Sequence, residues 1–487
     1  MSEGDRLPAH GPNVHRFAGI LSIHAEVFAT ALAVTALLLL GGCEPRGANP
    51  SAEAGGARSL DATADAYVKL GLAVGNHDPD YVDAYLGPSG WREEAERSRP
   101  SLSEIRSRAD QLIGTLRADL PADSDEMTRL RRRALRKNLE ALAARVEMLG
   151  GKQFSFDEES QALFDAVAPI KSESEFQAVL DELARLLPAR LLPARLLPGE
   201  GALIDRYEAF RKQFEIPPAR LDAVFQAAIA ECRARTTRFI SLPEQESFEV
   251  EYVTDEPWNA YNWYKGNYHS VIQLNTSLPI YIDDAVRLAC HEGYPGHHVQ
   301  SILWERDLLR GRGWMEFSLY PLFSPNAVIN EGGAEYGIRM AFPDGERVGF
   351  DRDELFPLAG LDPARADEYQ GVEELVQELD YARNEAARRY LDGEFDRQQA
   401  ASWLQRYALL SPPRAERNVQ FIEKYRSYVI NYNLGKDLVQ HHVETGDGAD
   451  PSVEQKWRVF ERLLASPTVP SDLSPGDRSG DSGMSGN

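Results

Sequence analysis

The chain has 487 residues, 43% of them hydrophobic and 26% charged, enough to bury a substantial core and to build more than one domain. Acidic residues outnumber basic ones by 76 to 53, a formal net charge of −23. That balance argues against a nucleic-acid backbone as partner, because such binding is dominated by Lys and Arg.

In chain order, the first element is an export signal over residues 1–43. An apolar run from Val27 to Leu40 is too short for a comfortable transmembrane helix, which takes ~20 residues. Arg6 and Arg16 give it a positive flank, and it ends in Leu40-Gly41-Gly42-Cys43. That ending resembles the lipobox of bacterial lipoproteins, in which the signal is cut before the Cys and the Cys carries lipid. The expectation is a cell-envelope protein held to a membrane through Cys43 and facing the periplasm or the exterior. Residues 44–58, rich in Gly, Ala and Pro, read as a flexible tether.

Residues 59–240 read as a helical region. Leu130, Ala134, Leu135, Leu139, Leu142, Val146 and Leu149 recur at three- and four-residue spacing, and Gly150-Gly151 supplies a stop. The basic run Arg131, Arg132, Arg133, Arg136 and Lys137 reads as a solvated face. Between Ala184 and Pro198 the text Arg-Leu-Leu-Pro-Ala recurs nearly three times, and the prolines forbid a continuous helix. Cys232 and Cys290 are too few for a disulfide framework, and each reads as a small core residue.

Residues 241–465 carry the chemistry. Phe248–Val253 and Tyr268–Asn275 alternate like strands, and a helical pattern resumes near Asp283. The fold class is therefore mainly α, with a small β element beside the helix that bears the histidines. Residues 466–487, rich in Ser, Pro, Gly and Asp, read as a disordered tail.

Three histidines crowd into His291-Glu-Gly-Tyr-Pro-Gly-His297-His298. The helical zinc motif His-Glu-x-x-His sets its histidines four apart on one face, with the Glu as general base. Here the fourth residue after His291 is Pro295. In a regular helix His297 would lie about 240° around the axis and His298 roughly 10 Å along it, so neither could share a zinc with His291. Gly293, Pro295 and Gly296 are residues that interrupt helices, and a local bulge would return His297 to His291. A further ligand is expected from a neighbouring helix. Asn330-Glu331-Gly-Gly-Ala-Glu335 offers two carboxylates one turn apart, on a helix whose small residues permit close packing.

The pattern His291-Glu292-x-x-Pro295-Gly296-His297-x-x-Gln300, followed by Glu331-Gly332-x-Ala334, resembles the bacterial domain-of-unknown-function 885 family of candidate zinc metallopeptidases. The segment from Tyr425-Arg426 to Tyr432 and Gly435 resembles that family's C-terminal motif. Tyr81 to Pro88 is a weaker match. The resemblance implies a helical zincin architecture with Zn2+ held by His291, His297 and Glu331, and a fourth position left for water. Glu292 would be the general base. Position in the motif makes Tyr432 and Arg426 candidates for stabilising the oxyanion, ahead of His441 and His442. His298 and Glu335 are expected to support the ligands, His269 and Asn275 to border the cleft, and His77 and Asp83 to be loop or cap residues. A bulky residue common in the family at the position of Gly333 is missing, so that wall is expected to be open. The expected activity is hydrolysis of short peptides, with a zinc amidohydrolase or a non-catalytic metal-bearing lipoprotein as the alternatives.

Overall fold

The computed structural model describes residues 50–473, apart from 118–119, 121–123, 188–201, 257, 344 and 447–450. The export signal, the lipobox and most of the tandem repeat lie outside the described residues. Helices dominate the remainder, accompanied by two small sheets. No helix among the described residues is long and apolar enough to cross a membrane.

Helix α1 (Pro50–Gly75) begins inside the segment expected to be a tether. Its apolar positions Leu60, Ala64, Tyr67 and Val68 are buried, at helical spacing. A short strand follows, β1 (Val82–Tyr85), within the region expected to be all helix. Helix α2 (Glu126–Leu149) starts at Asp125, whose side chain accepts from the Thr128 backbone N–H, and stops at the expected glycines. Its basic run is only partly a solvated face. Arg131 is buried, and its guanidinium meets Glu316 at 2.6 Å and Asp61 at 2.7 Å.

Helix α3 (Leu221–Thr236) precedes a three-stranded sheet of β2 (Ser247–Val253), β3 (Ala260–Gly266) and β4 (His269–Asn275). The order is β2-β4-β3, with β2 parallel and β3 antiparallel to β4. The expected strand β4 thus lies in the centre, with both edges paired. Strand β3 was not expected from the sequence. It turns into β4 through Asn267 and Tyr268, both with positive φ, the backbone that tight hairpins require.

Helix α4 (Ile282–Leu288) leads into the histidine segment, and α5 (His297–Leu303) leaves it. Strand β5 (Leu319–Pro321) pairs antiparallel with β1. Helix α6 (Pro325–Ala341) packs against α8 (Ile430–Thr445), with α7 (Pro412–Tyr425) between them in sequence. The α6–α8 contact depends on paired glycines. A Cβ on Gly332 would lie 2.2 Å from the Gly435 carbonyl carbon, and one on Gly435 would lie 2.5 Å from the Val328 oxygen. After α9 (Val453–Leu464), the chain does not dissolve at residue 466. Pro470–Leu473 forms a last helical turn with Pro470 and Leu473 buried.

One hydrophobic core runs through residues on both sides of position 240, from Leu60 to Leu473. The two cysteines expected as separate core residues are a disulfide, Cys232–Cys290, that ties α3 to the residue before His291. It spans 58 residues, so constraint of the unfolded chain contributes roughly 4 kcal/mol.

Candidate metal centre

The helix that enters with α4 does not run through the histidines. Ala289–Gly293 widens into a π-helical turn, Tyr294 is extended, and a new helix opens at His297. The Gly296 N–H donates to the Cys290 carbonyl at 2.9 Å, which folds the chain back on itself. A Cβ at Gly296 would sit 1.7 Å from the His291 carbonyl oxygen, so only glycine fits there. The fold-back brings Nε2 of His297 to 3.1 Å from Nε2 of His291, with the rings nearly perpendicular.

Helix α6 delivers Glu331 to the same point. Its Oε2 lies 3.3 Å from His291 Nε2 and 3.6 Å from His297 Nε2. Zn–ligand bonds of ~2.0–2.1 Å put the donors of a tetrahedral site about 3.3–3.4 Å apart. The three atoms therefore already stand at the edges such an ion requires. Glu331 Oε2 is buried and has no aligned hydrogen-bond donor. Burial alone would lower the His291 pKa, but the carboxylates of Glu331 and Glu335 raise it well above the ordinary value. Burial would likewise raise the Glu331 carboxyl, and the two imidazoles hold it well below the usual range. A centre that draws positive charge so strongly suits a divalent cation, and the donor set of two imidazoles and a carboxylate suits zinc.

Supporting groups surround these three residues. Glu335, one turn beyond Glu331, puts Oε1 3.2 Å from His291 Nδ1, close enough to attract though off the line of a hydrogen bond. The Tyr428 hydroxyl donates to Glu331 Oε1 at 2.7 Å. His298 is fully buried behind the site, bonded to Ser270 at 2.8 Å and Glu246 at 3.1 Å. Glu246 also accepts from Arg233 and Tyr294 at 2.6 Å each. Burial would raise its carboxyl, yet these partners hold it down to about 2.

Glu292 is buried beside His291 and lines the cavity. Among the described residues its carboxylate has no hydrogen bond or ion pair. Asn262 of β3 donates to its backbone carbonyl at 2.7 Å. Tyr432 stacks on the His291 ring, with centroids 6.3 Å apart and planes 22° apart. Its hydroxyl has no hydrogen-bond partner among the described residues, and burial raises its pKa well above the ordinary value. The cavity is about 1070 Å³ and runs from β1 and β3 past His291, His297 and Glu331 to α7 and α8.

Arg426 is placed differently from the expectation. Its Nε donates to the buried Glu159 at 2.7 Å, and its side chain does not line the cavity. It ties the turn between α7 and α8 to the N-terminal helices. His441 and His442 lie farther along α8, also off the cavity lining. His269 faces Ser247 at 3.1 Å, and Asn275 donates to the Glu256 and Trp258 carbonyls, so neither borders the cleft. His77 is a loop residue, bonded to the Pro100 carbonyl at 2.8 Å. The wall at Gly333 is closed, because a Cβ there would meet Leu464 at 2.8 Å.

Asp83 is not the cap residue expected. It lines the cavity from β1, accepts the Tyr261 hydroxyl, and burial pushes its carboxyl up to about 6. Asp83, Tyr261 and Tyr428 come to the site from three distant stretches of chain. The only sequence signal for Asp83 is the motif-like text around it.

No family model and no curated protein matches the chain. Among solved structures it is similar to a candidate lipoprotein from Colwellia psychrerythraea, with 15% identity over 76% of this chain and 71% of that chain and a TM-score of 0.44. It is also similar to a candidate lipoprotein of unknown function from Shewanella oneidensis, with 14% identity, 79% and 74% coverage and a TM-score of 0.43. A third similar structure, named CHT, has 12% identity, 85% and 92% coverage and a TM-score of 0.42.

Proposed function

We propose that the chain is a zinc-dependent metallopeptidase acting on short peptides, with His291, His297 and Glu331 as ligands and Glu292 as general base. The reading extends to a helical zincin-like architecture. One observation carries it. Three donor atoms, from the turn that ends α4, the start of α5 and the middle of α6, meet at the edge lengths of a tetrahedral zinc site, beside a buried, unpartnered carboxylate, in the wall of a large cavity. A structural zinc fills all four positions with protein atoms and needs no base beside it.

Zinc held there supplies Lewis acidity, polarising a carbonyl and acidifying water towards neutral pH. Glu292 accepts the proton of the attacking water and returns it to the leaving amine. Tyr432 donates its hydroxyl to the oxyanion that develops at the former carbonyl. Glu335 and Tyr428 orient the ligands His291 and Glu331, as outer partners of metal sites do. The test is a peptide library incubated with zinc-loaded protein. Short peptides should be cleaved, with activity lost to a chelator and regained with zinc. A zinc-loaded protein that cleaves no peptide in the library refutes the reading.

The same proposal covers location. The Leu40-Gly41-Gly42-Cys43 text supports a lipid anchor, and the Cys232–Cys290 disulfide suits an oxidising compartment outside the cytoplasm. Cys43→Ala should release the protein from membrane fractions. Unchanged membrane association and unchanged mature mass contradict the anchor.

A further inference from the structure

Helix α7 lines the cavity with Arg414, Arg417, Asn418, Phe421 and Tyr425. Their three- and four-residue spacing puts them on one helical face. The stripe starts at the metal centre: the Phe421 ring lies 6.3 Å from Tyr432, and Tyr432 lies 6.3 Å from His291. Arg417 is one turn beyond Phe421 and Arg414 nearly two, about 6 and 10 Å along the axis.

These two cations are not neutralised at close range. Among the described residues, Arg417 makes no hydrogen bond or ion pair. Arg414 donates to the Pro279 carbonyl at 2.7 Å and lies over the Tyr281 ring, without a carboxylate at ion-pair distance. Asp255 and Asp284 act on them only from farther away. Other guanidiniums of the cavity do face acids: Arg287 meets Asp284 at 2.6 Å, and Arg211 meets Asp283 at 3.5 Å. Burial and the neighbouring Arg414 both weaken the hold of Arg417 on its proton. Both guanidiniums are half-buried at the cavity wall, so with no carboxylate at ion-pair distance their charge is left to face an incoming anion. Next to them, Asn418 Oδ1 is buried without a partner.

We propose that Arg414 and Arg417 form a carboxylate-binding subsite for the substrate, an assignment that rests on the peptidase reading. The planar fork of Arg matches a carboxylate better than a point charge does. The carboxylate is either the peptide's C-terminus or an Asp or Glu side chain.

The test is calorimetric binding of three probes to zinc-loaded protein carrying Glu292→Gln: an alanine pentapeptide as free acid, its C-terminal amide, and the amide with Glu as last residue. The free acid should bind at least about tenfold more tightly than the plain amide, the span of charge-assisted hydrogen bonds. If the Glu-containing amide binds as tightly as the free acid, a side chain serves as the anion. In protein with Arg414→Gln and Arg417→Gln the preference should vanish while affinity for the plain amide holds, which also shows that the double variant is folded. Arg417→Lys should restore part of the preference. Equal affinity of all three probes for the parent protein, or a preference that survives the double variant, overturns the subsite. Wild-type hydrolysis of the same peptides is read separately. Preference without hydrolysis keeps the subsite and sinks the peptidase, and hydrolysis without preference does the reverse.

Discussion

Glu292→Gln should leave one zinc per chain in place and slow peptide hydrolysis by at least about 10², the lower end of what general acid–base groups supply. Gln keeps the shape and burial of the side chain but cannot take the proton of the attacking water. Glu292 is suited to this test because its carboxylate has no hydrogen bond or ion pair among the described residues, so the substitution breaks no internal contact. His291→Ala, His297→Ala and Glu331→Ala should behave differently and lose zinc and activity together. Stopped-flow or steady-state rates with metal content measured on the same samples separate the two patterns. Full turnover in Glu292→Gln contradicts the general-base role. Loss of metal in that variant makes Glu292 a ligand or a prop instead.

Gly296→Ala should cost as much from a different cause. The added methyl would lie 1.7 Å from the His291 carbonyl oxygen and 2.5 Å from that of Cys290. Both are backbone atoms, so no side-chain rotation relieves the clash. The fold-back between the histidines must open, which moves His297 away from His291. Zinc affinity should fall by at least about 10², beyond the range for losing an outer partner of a ligand. Stability should fall by roughly 3 kcal/mol or more, the scale of enforced backbone strain. Gly293→Ala is the control, since its methyl meets only the Phe248 side chain at 3.3 Å. Chelator competition and thermal unfolding check both variants. Wild-type values for Gly296→Ala contradict this account of the bulge.

The meeting of His291 with His297 was legible because the residues that interrupt the helix, Gly293, Pro295 and Gly296, lie within the motif itself. Local text carries local backbone. Glu331 was legible for a related reason: the glycines beside it announce a close helix contact, and Gly332 indeed abuts Gly435. What depends on distant stretches could not be read. Arg131 looked solvated because its partner Glu316 stands 185 residues away. Cys232 and Cys290 looked like independent thiols because 58 residues separate them. Arg426 looked catalytic by position, but its positive φ and the buried Glu159 turn it away from the cavity. Strand β3 lacks a clean alternation because its successive residues Ala260 to Trp263 are all partly buried, and Ala260, Tyr261 and Asn262 line the cavity. Asp83 follows from that arrangement, since its carboxylate meets the site only where Tyr261 of β3 reaches it.

The most direct measurement of the central claim is zinc K-edge X-ray absorption on the purified chain, with metal content determined on the same sample. One zinc per chain is predicted, bound by two imidazole nitrogens and carboxylate oxygen at about 2.0–2.2 Å, with one imidazole lost in His297→Ala. A chain that binds no zinc, or a spectrum unchanged in His297→Ala, contradicts the account.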